Sequence, residues 1–185
     1  DLKLPTVKYI EQDAKISLTA TQNNPTWGLD RIDQANRPLD NQYTYNYDGS
    51  GVDAYIIDTG IRASHNEFGG RVSSGYTAIN DGRGTSDCDG HGTHVAGTVG
   101  GNIYGVAKNV NLIPVRVLDC SGGGTNAGVI AGVNYVANVA SGPSVANMSL
   151  GGGNSTALDN AVEDAIDEGI TFVVAAGNSN ANACS

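Results

Sequence analysis

The chain has 185 residues, 26 of them glycine, with 39% hydrophobic and 16% charged residues and a formal net charge of −9. That length suits one domain with a sizeable core, and the low charge fraction with scattered apolar runs excludes a disordered chain. Nineteen acids against 10 bases exclude a nucleic-acid partner, and no apolar run reaches the ~18 residues of a membrane helix, so no membrane is expected.

Thr6 to Ile10 reads as a short strand with Val7 and Tyr9 on one face. The polar, proline-containing stretch after it predicts a boundary near Ala20–Thr21. Residues 36–51 are loop-like, although Tyr43, Tyr45 and Tyr47 alternate as in a short extended piece. Val52 to Asp58 is a mostly apolar run and a buried strand candidate. His91 to Val99 predicts a helix after a glycine-rich loop. Val110 to Leu118 predicts a strand with Pro114 as an irregular spot. Val129, Ile130, Val133, Val136 and Ala137 recur at helical spacing. Ser144 to Leu150 is a further strand. Ser155 or Thr156 caps a helix whose stripe is Leu158, Val162, Ala165 and Ile166, and Gly169 ends it. Ile170 to Ala176 is the last strand. Strands alternating with helices predict an α/β fold, with a mostly parallel sheet covered on both faces.

Cys88, Cys120 and Cys184 form no C-x-x-C pair, which argues against a zinc knuckle. The odd count leaves one thiol free, paired between chains, or with a partner beyond the end. Residues 1–20 do not read as a signal peptide, though a chain that had lost one would look the same.

Sites in open α/β sheets form at the carboxyl ends of strands. Three features stand at such ends: Asp58-Thr-Gly60, the segment from Asp89 to Thr98, and Ala175-Ala-Gly-Asn178. Each has a bland reading, as a turn cap, a surface histidine pair and a left-handed turn residue. Together they suggest more. A histidine flanked by glycine at a helix start can serve as base and then acid. A strand-end aspartate can hold its tautomer, and an asparagine amide can donate to a developing oxyanion. This is a hydrolytic set without a nucleophile.

The residues that carry a resemblance are Tyr55-Ile-Ile-Asp58-Thr-Gly-Ile61, Gly90-His91-Gly-Thr-His94-Val-Ala-Gly-Thr98, Asn147-Met-Ser-Leu-Gly-Gly-Gly153 and Val173-Val-Ala-Ala-Gly-Asn178, with Trp27-Gly-Leu and Tyr104-Gly-Val-Ala-Lys108. Over roughly residues 21–185 the chain resembles the subtilisin-like serine peptidases, nearest to the proteinase K group. The resemblance implies a three-layer subtilisin-like fold, here C-terminally incomplete. Asp58 would orient the base, His91 would be the base, and Asn178 would line the oxyanion hole. His94 matches a structural histidine of the family. Pro5-Thr-Val-Lys-Tyr-Ile-Glu11 resembles the end of the inhibitory propeptide, so residues 1–20 are expected to be its tail, and 21–185 the first two-thirds of the peptidase domain. Self-cleavage near Ala20–Thr21 is implied, with the chain's own propeptide as a partner.

The family order is Asp, His, Ser, with about 32 residues between the first two; here the step from Asp58 to His91 is 33. The serine should follow the histidine by roughly 150 residues, yet only 94 follow His91 and no Gly-Thr-Ser-Met-Ala segment is present. Ser86 precedes His91 in a loop, and Ser144 enters a strand, whereas a nucleophile elbow is a strand-to-helix turn. These residues alone are therefore expected to be inactive and marginally stable, with apolar surface or a strand edge exposed.

The resemblance further implies that Gly122, Gly123 and Gly124 and Ser149, Leu150 and Gly151 flank an extended polypeptide substrate, and that Ala175, Ala176 and Gly177 floor a pocket for a large apolar side chain. Without it, three consecutive glycines read as a flexible loop. Asp30, Asp33, Gln34 and Asp40 match a structural calcium site of some relatives; Asp81, Asp87 and Asp89 are a weaker candidate. Cys88 and Cys120 match a family disulfide, and Cys184 matches a cysteine whose partner would lie beyond Ser185. Disulfides imply secretion; a monomer is expected. Two sequons occur, at Asn147 and Asn154. Four other readings are kept open. Asp58-Thr-Gly60 could be half of an aspartic-protease dyad, which needs a second copy. His91 and His94 could begin a zinc site. The chain could bind peptides without turnover as a pseudoprotease. A dinucleotide fold is weakest, since no G-x-G-x-x-G follows the first long strand.

Overall fold

The computed structural model describes residues 19–182. The strand expected at Thr6–Ile10, the propeptide tail up to Leu18, and Cys184 lie outside the described residues.

The chain begins with β1 (Ala20–Asn23), α1 (Trp27–Ile32) and β2 (Gln42–Tyr45). β1 and β2 form a two-stranded antiparallel sheet, with Ala20 opposite Tyr45 and Thr21 opposite Thr44. The boundary expected near Ala20–Thr21 thus falls inside β1. These three elements escape the sequence patterns because they are short: four to six residues give no readable period. The alternating tyrosines do mark β2. Tyr43 and Tyr45 stack at 5.1 Å between centroids. Buried Tyr43 donates to Val106 O at 3.0 Å, with the Lys108 ammonium 5.5 Å from its ring.

The remainder alternates strand and helix: β3 (Asp53–Asp58), β4 (Tyr76–Thr77), α2 (His91–Gly100), β5 (Asn111–Arg116), α3 (Asn126–Val139), β6 (Ser144–Met148), α4 (Thr156–Asp167) and β7 (Thr171–Val174). The sheet order is β4-β5-β3-β6-β7, and every pairing in it is parallel. Strand period 2 sorts the core into two layers. Ala54, Ile56 and Leu112 pack with Ala96 of α2. Tyr55, Ile57, Ile113 and Val115 pack with Val129, Val133 and Val136 of α3 and Ala165 of α4. Helices on both faces of a parallel sheet make the three-layer α/β architecture expected from this alternation.

Local chemistry sets the details. The Thr125 side chain caps α3, and Ser155, not Thr156, caps α4 by accepting from Leu158 N. Gly169 ends α4 with φ 91°. Pro114 is buried inside β5, where it cannot donate to the ladder. The neighbouring chain bulges past it: Val72 bridges Leu112, and pairing resumes only at Tyr76–Val115. The strands end earlier than the apolar runs do, so Ser149, Leu150, Ala175 and Ala176 emerge past the carboxyl edge, where the site lies.

Candidate active site

Asp58 ends β3, a central strand, and is fully buried. His91 opens α2. The two meet: His91 Nδ1 lies 2.8 Å from Asp58 Oδ1 and 2.9 Å from Oδ2. Thr59 N donates to the same Oδ1 at 2.7 Å. Close approach of helix and strand end requires glycine at position 92, since a Cβ there would meet Gly60 O at 2.2 Å. The imidazole stays half-exposed. Its pKa is raised above the usual histidine value, chiefly by the hydrogen bond to Asp58, with burial opposing and the charges of Asp58, Asp89 and Asp87 assisting. With Nδ1 engaged, Nε2 is the nitrogen left for proton transfer.

A cavity of about 240 Å³ joins His91 to Gly122, Ser149, Leu150 and Gly151. A larger one of about 530 Å³ extends along Gly122, Gly124, Leu150 to Gly153, Met148 and Val174. The triple glycine is not a loose loop. Asp119 Oδ1 accepts from Ser121 N, Ser121 Oγ and Gly123 N, and Leu118 bridges Gly124. Asn147 donates to Ser149 Oγ at 2.9 Å.

Ala175, Ala176, Gly177 and Asn178 follow β7 at the same edge of the sheet. Ala175 N donates to Met148 O at 3.1 Å, and Gly177 takes φ 89°. These four residues are exposed and do not line the cavity that holds His91. Of the two serines considered, Ser144 pairs with Asp53 at the amino end of the sheet, opposite His91. Ser86 sits in a turn closed onto Arg83 O and is not in the cavity either.

Cys88 and Cys120 are disulfide-bonded, with Cα atoms 4.9 Å apart. Beneath the bridge lies a feature with no sequence signal beyond one arginine in an apolar run. Arg116 is fully buried and donates to both oxygens of Asp81, at 2.8 and 2.7 Å, and its Nη2 approaches Cys88 Sγ at 3.3 Å. This pairing holds the Asp81 carboxyl down at about 2. Asp81 is paired with Arg116, Asp87 accepts from Thr59 and the α2 amides, and Asp89 accepts from His91 N.

The Asp30, Asp33, Gln34 and Asp40 loop is different in kind. Asp30 is buried and accepts two amides, from Asp40 at 3.3 Å and Asn41 at 3.0 Å. Asp33 accepts from Thr44 N and Asp40 from Gln42 N. Gln34 donates through Nε2 to Pro38 O at 2.8 Å, while its buried Oε1 accepts from no group among the described residues. An all-oxygen donor set with a buried carboxylate and an orphaned amide oxygen fits a hard cation. The three carboxylates do not by themselves converge within 4.8 Å; among the described residues the cluster that does is Asp81, Cys88 and Cys120, whose sulfurs are spent in the disulfide. No such cluster among the described residues includes His91 with His94.

The model of the Subtilase family matches residues 49–185. Alkaline serine exoprotease A of Vibrio alginolyticus is 63% identical over 97% of this chain and 35% of its own length. Extracellular serine proteinase of Thermus sp. (strain Rt41A) is 59% identical over 97% of this chain and 44% of its own. Proteinase T of Parengyodontium album is 47% identical over 96% and 62%. The crystal structure of a cold adapted subtilisin-like serine proteinase superposes with a TM-score of 0.85 at 65% identity, over 88% of this chain and 59% of that one. The chain therefore spans less than two-thirds of the length of each of these relatives.

Proposed function

The chain belongs to the subtilase family, and on that premise we propose that it is part of a secreted serine endopeptidase with an Asp-His-Ser triad. The observation that carries this reading is the His91–Asp58 couple opening onto a cavity shared with Gly122 and Ser149 to Gly151. In this mechanism His91 Nε2 takes the proton of a serine hydroxyl as its oxygen bonds to the scissile carbonyl carbon. Asp58 stabilises the imidazolium, which then protonates the leaving amine as the C–N bond breaks. Water repeats the sequence on the acyl-enzyme. Asn178 donates to the oxyanion. In this reading the nucleophile is a serine outside residues 1–185, which match 35% and 44% of the length of two relatives. In isolation residues 1–185 bind peptide without turning it over.

Substrate polypeptide lies extended between Gly122 to Gly124 and Ser149 to Gly151, held by backbone hydrogen bonds. Ala175, Ala176 and Gly177 leave room for a large apolar side chain. Residues 1–20 act as the tail of an inhibitory propeptide, and the mature enzyme is a monomer. Secretion is supported by the Cys88–Cys120 disulfide and by a relative described as extracellular. Asp30, Asp33, Gln34 and Asp40 would hold calcium, which supplies a structural cross-link in that loop and no chemistry. The test is hydrolysis of casein and of peptide anilides by the protein from its complete gene. Turnover abolished by a sulfonyl fluoride supports the reading; turnover sensitive instead to pepstatin or to a chelating inhibitor of zinc peptidases contradicts it.

A further inference from the structure

The helix that carries His91 has no cap of its own. Its N-cap residue is Gly90, at φ 110°, which offers no side chain. Three side chains from outside the helix take the free amides of the first turn. His91 N donates to Asp89 Oδ1 at 3.1 Å, Gly92 N to Thr59 Oγ1 at 2.8 Å, and Thr93 N to Asp87 Oδ2 at 2.9 Å. Asp87 does the most. Its Oδ1 also accepts from Asp89 N at 3.0 Å, Gly90 N at 2.9 Å and the Thr59 hydroxyl at 2.9 Å, and its Oδ2 accepts the Thr93 hydroxyl.

Thr59 converts this cap into a link between elements. Its hydroxyl donates to Asp87 and accepts from Gly92, while its amide donates to Asp58 Oδ1, the oxygen that meets His91 Nδ1. One carboxylate thereby ties the start of α2 to the end of β3, although 33 residues separate Asp58 from His91. Burial pushes the Asp87 carboxyl up, but hydrogen bonds from Thr93, Gly90 and Thr59 outweigh it and leave its pKa below the ordinary value. Asp87 does not line the cavity that holds His91.

We propose that Asp87, acting through Thr59, is a positioning residue that sets His91 Nδ1 in register with the Asp58 carboxylate without touching substrate. The proposal rests on the peptidase reading above. Its test uses Asp87→Glu, Asp87→Asn and Thr59→Val in the protein from its complete gene. Glutamate keeps the charge but displaces the carboxylate, and valine cuts the link while leaving every charge in place. Positioning predicts that kcat falls about 10- to 100-fold in the Asp87 variants, as for a misplacement of about 1 Å, and less in Thr59→Val. KM should stay within about twofold, and the acid limb of the kcat/KM profile should move to lower pH in all three. An unchanged kcat and acid limb in Asp87→Glu and Thr59→Val overturns the proposal. So does an effect confined to Asp87→Asn, which would reduce Asp87 to a distant charge. If the Asp87 variants do not fold, Thr59→Val alone decides by the same readout. If the wild type hydrolyses no peptide, the peptidase reading fails separately. The His91 titration followed by NMR then decides, a lower pKa in the variants supporting positioning and an unchanged one overturning it.

Discussion

Asp58 ends one parallel strand and Asn178 follows another of the same sheet, yet Asp58 is fully buried on a strand with neighbours on both sides and Asn178 is exposed past a strand with one neighbour among the described residues. β3 has neighbours on both sides, whereas β7 has only β6 among the described residues, and its Val173 and Val174 are 56% and 60% exposed. The base half of the proposed site is therefore fixed by contacts within residues 19–182: the Asp58 bonds, the Thr59 link and the close packing at Gly92. Among the described residues the oxyanion half contacts a single neighbouring strand, β6.

The largest effects should come from the base half. Asp58→Asn is expected to lower kcat by about 10⁴-fold, because the imidazole loses its tautomer and orientation; steady-state hydrolysis of a peptide anilide by the protein from its complete gene measures this. Asn178→Ala should cost about 10² to 10³-fold, one oxyanion donor's worth. A loss at Asn178 equal to that at Asp58 would break the contrast between the two halves.

Stability should follow the same division. Removing the Cys88–Cys120 bridge by paired alanine substitutions frees a 32-residue separation, worth about 3–4 kcal/mol by the chain-entropy relation, readable in urea. The Asp30 loop is expected to add about 1–2 kcal/mol at millimolar calcium, lost on chelation and insensitive to calcium in Asp30→Asn.

The pH dependence has a definite sign at each end. The raised His91 pKa contributes stability that is full below about 6.5 and lost as pH rises through the folded value. Activity needs the neutral imidazole, so kcat/KM should rise with pH through an apparent pKa above about 6.5 and move lower in Asp58→Asn. Asp81, held at about 2, contributes stability that is present above its ordinary value of 3.8 and lost as pH falls towards 2. An acid melt of Asp81→Asn should lack that drop.

Much of this is legible in the sequence because it rests on period and punctuation. The central strands, the three long helices and the Gly169 stop announce themselves in apolar spacing and turn residues, and the cap of α4 is narrowed to Ser155 or Thr156. Asp58 and His91 are legible as a strand end and a glycine-flanked helix start. Other features have no local pattern. The paired strands β1 and β2 and the helix α1 between them are too short to show a period. The roles of Asp81 and Asp87 depend on partners 35 and 28 residues away in sequence, Arg116 and Thr59, so as isolated acids they resemble cation ligands. Asn178 follows β7, whose place in the sheet depends on strand order rather than on composition.

The most direct measurement is labelling of the protein from its complete gene with a fluorophosphonate, followed by peptide mapping, in wild type and His91→Ala. The account predicts one adduct, on a serine outside residues 1–185, that disappears in His91→Ala. No adduct, an adduct on Ser86 or Ser144, or labelling indifferent to His91 would contradict it.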